Sequence, residues 1–344
     1  MSMATTDPLV SIVVPSYNAA THLRTMLDSI LGQSYRHTEV LLLDDASNDE
    51  TPEIAASYAG RIRYHRQPVN RGQFRNAEDG IALARGKYIA VYHADDVYDP
   101  EIVAREVEFL EAHPDVGVVF CLSRFADGAG REYGRLALPS TLAGLCSLDY
   151  EEVLNGVLLY KNVFMPTPGA MGRAALYRQI GGYSAEFGSA ADLAMWLRFA
   201  RLSRVGLLHK HLFTYRHTSN SEGQSYQIGR TSQENYFAVM EREIAEHGAA
   251  KVTPASRRAF EAHRAVDALR ICVNAYIAGE VGGAGAAWRQ ISVADLLRSG
   301  QVQRPRHLVL WGALGILTRL PHVRGVAAAL RWRYYERLPW WQAP

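Results

Sequence analysis

The chain has 344 residues, enough for one large domain with an appendage or for two ordinary domains. Its hydrophobic fraction of 48% and charged fraction of 21% are those of a folded globular protein, which excludes an intrinsically disordered chain. The net charge of +2 gives no overall field strong enough to indicate a nucleic-acid partner, so we expect none.

Short apolar runs alternate with amphipathic segments in the first half of the chain, which predicts an α/β fold with a mostly parallel sheet flanked by helices. Polar clusters follow the first, second and fourth predicted strands, at the sheet edge where open α/β sheets bind ligands. No G-x-G-x-x-G motif follows the first strand, so a dinucleotide site is not expected. The five predicted strands cover residues 9–14, 40–43, 62–65, 88–92 and 116–121.

The pattern is less regular after residue 125. It predicts a loop or small hairpin over residues 128–144, and from about residue 224 to 298 it is helical throughout. Between these segments we predict helices at residues 149–159, 174–180 and 192–202, and short strands at 205–208 and 212–215.

These changes in periodicity divide the chain into three segments. An α/β domain is predicted over residues 8–222, a helical extension over 223–303 and a basic amphipathic tail over 304–344. Within the α/β domain, a first half at 8–125 carries the acidic clusters at its strand ends, and a second half covers 126–222.

Three cysteines, Cys121, Cys146 and Cys272, have neither the spacing of a zinc site nor an even number that would form a disulfide framework. This usage is typical of a reducing compartment. The first seven residues lack the basic and apolar regions of a signal peptide. The longest apolar candidate, residues 308–317, is about half the ~18 residues that span a bilayer. We therefore expect a cytoplasmic protein.

Two acidic pairs stand directly after predicted strands, at residues 44–45 and 95–96. Adjacent carboxylates at a strand end can ligate a hard divalent ion, and such an ion can bridge the oxygens of a diphosphate. The alternative is that these aspartates only form turns and cap helices. Carboxylates buried together repel one another unless a cation or hydrogen-bond donors lie nearby, so two pairs on one sheet favour the metal interpretation.

Several motifs, in the same chain order, resemble those of family 2 glycosyltransferases. The resemblance covers about residues 9–220, and its motifs are independent of one another. The motifs are VSIVVPSYN (10–18), LDDASNDET (43–51), NRG (70–72), GIALARGKYI (80–89) and ADD (94–96), the last standing where the family has its D-x-D-type metal motif.

The resemblance implies a GT-A fold, which is a Rossmann-like sheet flanked by helices, with a nucleotide-sugar donor, Mn²⁺ or Mg²⁺, and inversion at the anomeric carbon. It implies that Asp45 contacts the nucleobase, with uracil of a UDP-sugar as the first choice. It further implies that Asp95 contacts ribose or sugar hydroxyls and that Asp96 is the principal metal ligand. The other expected donor-binding residues are Pro15, Tyr17, Asn18, Gly72 and Arg75.

A second group of motifs resembles the acceptor side of the same family: PGAM (168–171), GGY (181–183) and ADLAMWLR (191–198). The resemblance implies that Asp192 is the general base. Such a base takes the proton from an acceptor hydroxyl as its oxygen attacks the anomeric carbon. The alternative is that Asp192 only caps the helix that carries Trp196.

Residues 215–217 resemble a late family motif that closes over the donor diphosphate, and His217 is expected as a further metal ligand or a phosphate donor. The alternative is a loop histidine without a role. His93 precedes the metal motif and should point away from Ala94, so we predict a histidine of the core. The string Gln-x-x-Arg-Trp of processive family members does not occur, which predicts transfer of one sugar per encounter.

The tail at residues 304–344 combines arginine with tryptophan and contains no lysine or aspartate and a single glutamate. A basic amphipathic helix with tryptophan can lie on an anionic membrane surface, and many bacterial members of the family act on lipid-linked acceptors. This is the basis for a hypothesis of peripheral contact with the cytoplasmic face of the membrane. The alternative is a helix that packs on the α/β domain with its arginines in water.

The leading prediction is a metal-dependent, inverting enzyme that transfers one sugar to a hydroxyl of a glycan or lipid-linked acceptor, in bacterial surface polysaccharide or glycolipid assembly. A nucleotidyltransferase is the second hypothesis. It would usually carry a glycine-rich loop with a basic residue where residues 16–18 read Ser-Tyr-Asn. The third is a nucleotide-sugar-binding or membrane-docked partner without turnover, against which Asp45, Asp96 and Asp192 argue.

Overall fold

The computed structural model describes residues 7–217, 229–298 and 304–331. The chain divides into two compact units. The first consists of residues 1–154 with 162–218, and the second of residues 155–161 with 219–344.

The strands of the first unit form one sheet. They are β1 (Val10–Ser16), β2 (Thr38–Asp44), β3 (Arg63–Arg66), β4 (Tyr88–Val91), β5 (Val97–Tyr98), β6 (Val116–Asp127), β7 (Glu132–Arg135), β8 (Ser147–Leu148), β9 (Ala170–Arg173) and β10 (Arg204–His217). Their order is β3-β2-β1-β4-β9-β6-β10-β5, with β7 paired to β6 and β8 to β10. Strands β1 to β4 pair in parallel, as β6 does with β10, so the predicted mostly parallel sheet and its five early strands are confirmed.

Seven helices accompany these strands in the described part of the first unit. They are α1 (Ala20–Leu31), α2 (Thr51–Ser57), α3 (Gln73–Leu83), α4 (Ile102–Ala112), α5 (Tyr150–Tyr160), α6 (Ala174–Ile180) and α7 (Ala191–Leu202), of which α5 continues into the second unit. Strands β1 and β4 are buried almost throughout, because helices cover both faces of a parallel sheet. This burial is why they read as continuous apolar runs. The parallel strands end together at the edge where the acidic pairs stand.

The structure differs from the sequence-based prediction in several strands; besides the two-residue strands β5 and β8, the differences are β9 and β10. Strand β9 was not predicted; it runs antiparallel between β4 and β6. Its Gly172 lies against the ring of Tyr177, where an added Cβ would come within 2.8 Å, so packing rather than β propensity selects this residue. The two strands predicted at 205–208 and 212–215 are one strand, β10, whose pairing with β6 shifts register between Leu208 and Phe213. This irregularity lies at the polar residues between the two predicted strands.

A carboxyl group is buried beneath the sheet edge. Glu106 on α4 is inaccessible to solvent; its Oε2 accepts a hydrogen bond from the Tyr92 hydroxyl at 2.9 Å, and its Oε1 has no hydrogen-bond partner in the described structure. Burial raises the pKa of Glu106 to about 8, because the charged form loses its hydration. The carboxyl group is therefore protonated in the folded protein at neutral pH.

We expect the free energy of unfolding of Glu106→Gln to rise by roughly 3 kcal/mol relative to that of wild type between pH 4 and pH 7. The unfolded chain releases this proton near its ordinary pKa of 4.5, and the folded protein holds it until about 8, so the wild-type free energy of unfolding falls as pH rises through that range. Glutamine has a similar shape and no proton to lose. Urea unfolding of both proteins from pH 4 to pH 8 should show a gap that widens with pH; a gap of constant size would contradict the buried-acid account.

The second unit is helical in its described part. Its helices are the end of α5 followed by α8 (Asn235–Glu243), α9 (Pro254–Ile277), α10 (Val281–Arg289), α11 (Val293–Arg298), α12 (Arg304–Leu317) and α13 (Arg324–Arg331). Helix α9 begins with a Thr253 cap that accepts the N–H of Ser256, with Pro254 in the first turn. Among the described helices, none has the length and apolar character needed to cross a bilayer.

Helices α9 to α13 share one apolar cluster. Cys272 and Tyr276 of α9 lie in it together with Leu314 of α12 and Ala327 of α13. Residues of the helical extension predicted at 223–303 and of the first part of the tail predicted at 304–344 both contribute to this cluster. The predicted boundary at residue 222, and the tail beyond residue 331, lie outside the described residues.

Candidate active site at the strand ends

The turn between β4 and β5 holds three side chains that could ligate a metal ion. His93, Asp95 and Asp96 each offer one ligand atom, and these three atoms lie within 4.8 Å of one another. Oδ1 of the buried Asp96 accepts the backbone N–H of Arg216 at 2.9 Å, while its Oδ2 is buried without a hydrogen-bond partner in the described structure. Burial and the charge of Asp95 raise the pKa of Asp96 well above its usual value. A cation beside Oδ2 would relieve both effects.

His93 corrects the prediction of a core histidine. Ala94 lies in the apolar core, as the alternation of side chains requires, and His93 lies instead with the two carboxylates. Burial lowers the pKa of His93, while the charges of Asp95 and Asp192 oppose that shift. The alternation of side chains correctly predicts that His93 points away from Ala94. At the end of a buried strand, however, the side opposite the core is the edge of the sheet where ligands bind. His93 therefore belongs to the candidate metal cluster.

Asp45 organises the loop that precedes α3. Its two carboxylate oxygens accept the backbone N–H groups of Arg71 and Gly72, each at 2.8 Å. Its own N–H donates to the carbonyl of Ser16 at 2.8 Å, which joins the ends of β1 and β2. Gly72 has a φ of 86°, a conformation that glycine adopts without strain. Any contact of Asp45 with a nucleobase must use the lone pairs that these bonds leave.

Asp44, the other member of that pair, has a structural role. Its Oδ1 accepts the N–H of Ser47 at 2.9 Å and its Oδ2 accepts the hydroxyl of Tyr64 at 2.6 Å. The carboxylate is fully buried among these donors. For Asp44 the turn interpretation is therefore correct, and only the second residue of the pair faces the loop of the candidate site.

The other predicted donor-binding residues lie at the end of β1 and the start of α3. Pro15 is half-buried, and Tyr17 and Asn18 are exposed. Asn18 has a φ of 49°, and it donates its backbone N–H to Ser47 and accepts the N–H of residue 48 through its side chain. Arg75 is exposed and makes no hydrogen bond or ion pair within the described part of the chain. Asn18 thus holds a loop, while Tyr17 and Arg75 are available to a ligand.

Asp192 lies in the first turn of α7, but it is not the cap of this helix. The capping position is Ala190, which has no side-chain hydrogen bond. Oδ1 of Asp192 accepts the N–H of Leu193 at 2.7 Å, and Oδ2 accepts the hydroxyl of Thr167 at 2.8 Å. The Thr167 oxygen in turn accepts the indole N–H of Trp196 at 3.1 Å. These bonds orient a half-buried carboxylate, and burial raises its pKa.

The charges of the metal-type cluster and of Asp192 act on the same two side chains, which indicates that the cluster and Asp192 lie near one another. The charges of Asp95 and Asp192 both act on His93. Burial raises the pKa of Tyr215, and the charges of Asp96, Asp95 and Asp192 raise it further. His93 and Tyr215 therefore lie among carboxylates that the sequence separates by about a hundred residues. Sequence reasoning missed Thr167, and it gave no role to Tyr215 although this residue lies in a recognised motif.

His217, the last residue of β10, lies beside this group but outside it. Its Nδ1 is hydrogen-bonded to the Tyr133 hydroxyl, and its ring packs on Tyr133 and Phe125. Burial lowers the pKa of His217 to about 4, and Asp95 opposes that shift. Within the described residues, the cluster of possible metal ligands does not include it. Its role as a ligand or phosphate donor stays a prediction.

Two solved structures share this fold over nearly the whole chain. The S. aureus TarS fragment in complex with UDP-GlcNAc has a TM-score of 0.60 and 18% identity, and the alignment covers 95% of this chain and 93% of that one. The mannosyltransferase PcManGT from Pyrobaculum calidifontis, in complex with GDP-Man and Mn²⁺, has a TM-score of 0.55 and 19% identity over 97% and 89% of the chains. The likeness confirms the predicted GT-A-type fold.

Sequence similarity to known proteins covers part of the chain. An uncharacterized glycosyltransferase of Rickettsia prowazekii is 28% identical over 215 residues, which are 61% of this chain and 64% of that protein. An uncharacterized protein of Sinorhizobium fredii is 30% identical over 227 residues, which are 63% of this chain and 23% of that protein. The chain thus covers less than two thirds of either relative. Residues 11–181 match the family model described as Glycosyl transferase family 2. The chain belongs to glycosyl transferase family 2.

Proposed function

We propose that the chain transfers a single sugar from a nucleoside-diphosphate sugar to an acceptor hydroxyl, with inversion at the anomeric carbon. The observation that carries this proposal is the coupling of the His93, Asp95 and Asp96 cluster to Asp192 in one site. A metal-ligating group for a diphosphate and a separate carboxylate base are the two parts that such a transfer needs. We propose a glycan or lipid-linked acceptor of bacterial surface polysaccharide or glycolipid assembly.

The nucleotide end of the donor would bind where β1, β2 and the loop before α3 meet. The exposed ring of Tyr17 offers a stacking surface for a base, and the loop held by Asp45 offers further polar groups. The exposed guanidinium of Arg75 can form charge-assisted hydrogen bonds to a diphosphate. A UDP-sugar remains our first choice. The UDP-GlcNAc complex of TarS favours it, and the GDP-Man complex of PcManGT makes a guanine nucleotide the second.

The turn between β4 and β5 fits a divalent cation. The unpartnered Oδ2 of Asp96 and the carboxylate of Asp95 are oxygen ligands of the kind that Mg²⁺ and Mn²⁺ prefer, and His93 adds a nitrogen that suits a transition metal. A cation held there would neutralise the charge that develops on the leaving nucleoside diphosphate. Asp96 is our principal ligand. Asp95, which is more exposed, lies where it can share the ion or bind ribose and sugar hydroxyls.

Asp192 would act as the base. The hydroxyl of Thr167 donates to one oxygen of this carboxylate and the N–H of Leu193 to the other, so the side chain is held in one orientation, and no described residue neutralises it in an ion pair. A base whose pKa is raised by burial accepts a proton more readily from the attacking hydroxyl. One such carboxylate suffices for inversion, because the acceptor oxygen attacks directly on the face opposite the leaving diphosphate.

The proposal is tested by thermal unfolding with a panel of nucleotide sugars, each with and without Mn²⁺. A donor at a hundred times its Kd should stabilise the folded protein by about 2.7 kcal/mol and raise Tm, because it binds the folded state alone. We expect one nucleotide class to do so, and only when Mn²⁺ is present. If nucleoside triphosphates raise Tm and nucleotide sugars do not, the nucleotidyltransferase hypothesis replaces ours. If no nucleotide raises it, the donor site is wrongly assigned.

A further inference from the structure

The outer face of α12 and of the turn that follows it is apolar. Val309, Ile316 and Leu320 expose 73%, 64% and 49% of their surface, and Val323 exposes 45%. Eleven large hydrophobic side chains are exposed in the described part of the chain, and four of them fall within these fifteen residues, so the exposure is concentrated in one segment. We call these four residues the α12 face.

The opposite side of the same helix is also apolar. Leu314 is buried in the cluster of the second unit, and Leu310, Trp311 and Leu317 pack against that cluster. Val309 and Ile316 are seven residues apart and lie on the other side, two helical turns from each other. A helix that is apolar all round is normally covered on all sides, so the α12 face requires an occupant.

The segment that carries the α12 face is basic. Arg319, Arg324 and Arg331 are exposed, and residues 304–331 contain neither aspartate nor glutamate. The guanidinium of Arg319 lies over the ring of Trp288, 4.7 Å from its centroid. In a symmetric dimer built on this face, the same arginines would oppose each other. Exposed apolar side chains in a segment whose arginines form no ion pair within the described residues instead complement a surface of acyl chains and anionic headgroups.

We propose that the α12 face docks the chain on an anionic lipid bilayer. Val309, Ile316 and Leu320 would enter the boundary between headgroups and acyl chains, and Arg324 and Arg331 would bind lipid phosphates. Docking on a bilayer requires no nucleotide sugar, so it is independent of the proposed sugar transfer.

The test uses the full chain without nucleotide, sedimented with vesicles of phosphatidylcholine alone or with added phosphatidylglycerol. We expect binding to the anionic vesicles and at least about tenfold weaker binding to the neutral ones, because each arginine near the surface contributes about fivefold. Leu320→Glu should weaken binding to anionic vesicles at least about tenfold, since it removes an apolar contact and adds a repelled charge. Leu202→Glu is the matched control, because Leu202 is also 49% exposed but belongs to the first unit.

The double variant Arg324→Gln with Arg331→Gln should lose binding to anionic vesicles and keep its melting temperature. If Leu320→Glu itself lowers the melting temperature, Leu320→Ser tests the same contact without a charge. Equal binding to neutral and anionic vesicles, or no binding to either, would overturn the proposal. So would a dimer in light scattering that Leu320→Glu dissociates, because the occupant would then be a second copy of the chain.

Discussion

Asp192→Asn is expected to lower kcat about 10² to 10⁴-fold while changing the Kd of the donor little. Asparagine keeps the shape of the side chain and an oxygen that can accept the hydroxyl of Thr167, so the site should stay assembled. It cannot accept the proton of an acceptor hydroxyl, because an amide is too weak a base to be protonated at neutral pH. Steady-state transfer kinetics and donor titrations on the same preparations measure the two effects separately.

Asp115→Asn is the control for the loss of one carboxylate. Asp115 is 64% exposed and makes a long ion pair with Arg204, at 3.9 Å. Its variant should transfer sugar at the wild-type rate. If Asp192→Asn also transfers sugar at the wild-type rate, another group removes the proton. The hydrogen bonds of Thr167 and Trp196 would then not serve to orient the base.

Asp96→Asn is expected to remove most of the affinity for Mn²⁺ and to lower transfer about 10³-fold, since metal stabilisation of a leaving group amounts to several kcal/mol. The amide can still accept the N–H of Arg216, so the turn should persist. The wild-type carboxylate is buried with one oxygen unpartnered, so the variant should also be the more stable protein in EDTA. Thermal unfolding with EDTA or Mn²⁺ gives both results without an activity assay.

His217→Ala separates the two roles predicted for that histidine. If His217 is not a ligand, the variant should keep the wild-type rise of Tm with Mn²⁺, and any loss of transfer should appear in donor affinity. Loss of the Mn²⁺ effect in this variant would make His217 a ligand. An unchanged Mn²⁺ effect in Asp96→Asn would contradict our assignment of the principal ligand.

The sheet could be predicted from sequence because its parallel strands are buried on both faces and read as apolar runs. The acidic pairs could be predicted as site candidates because parallel strands end at one edge. Strand β9 could not, since a glycine in contact with Tyr177 satisfies a packing requirement that no local pattern reveals. Likewise, the shared cluster of α9 to α13 depends on contacts distant in sequence.

Within the site, the sequence identified residue types better than their partners. Asp44 and Asp45 look equivalent in the motif, yet one is enclosed by Ser47 and Tyr64 and the other binds the loop before α3. His93 was assigned to the core because the alternation of side chains predicts which way His93 points, but not which residues lie on that side. Tertiary contacts made these distinctions. The expected metal ligands were Asp96 and, as a further ligand, His217, whereas the candidate cluster in the structure groups Asp96 with Asp95 and His93.

The central claim is that the metal cluster and Asp192 together transfer a sugar with inversion. The most direct test is the anomeric configuration of the product, observed by NMR during transfer from the donor that the thermal panel identifies. We predict a product of inverted configuration that forms in wild type with Mn²⁺ and is nearly absent in EDTA and in Asp192→Asn. A product of retained configuration, or an equal yield from Asp192→Asn, would contradict the account.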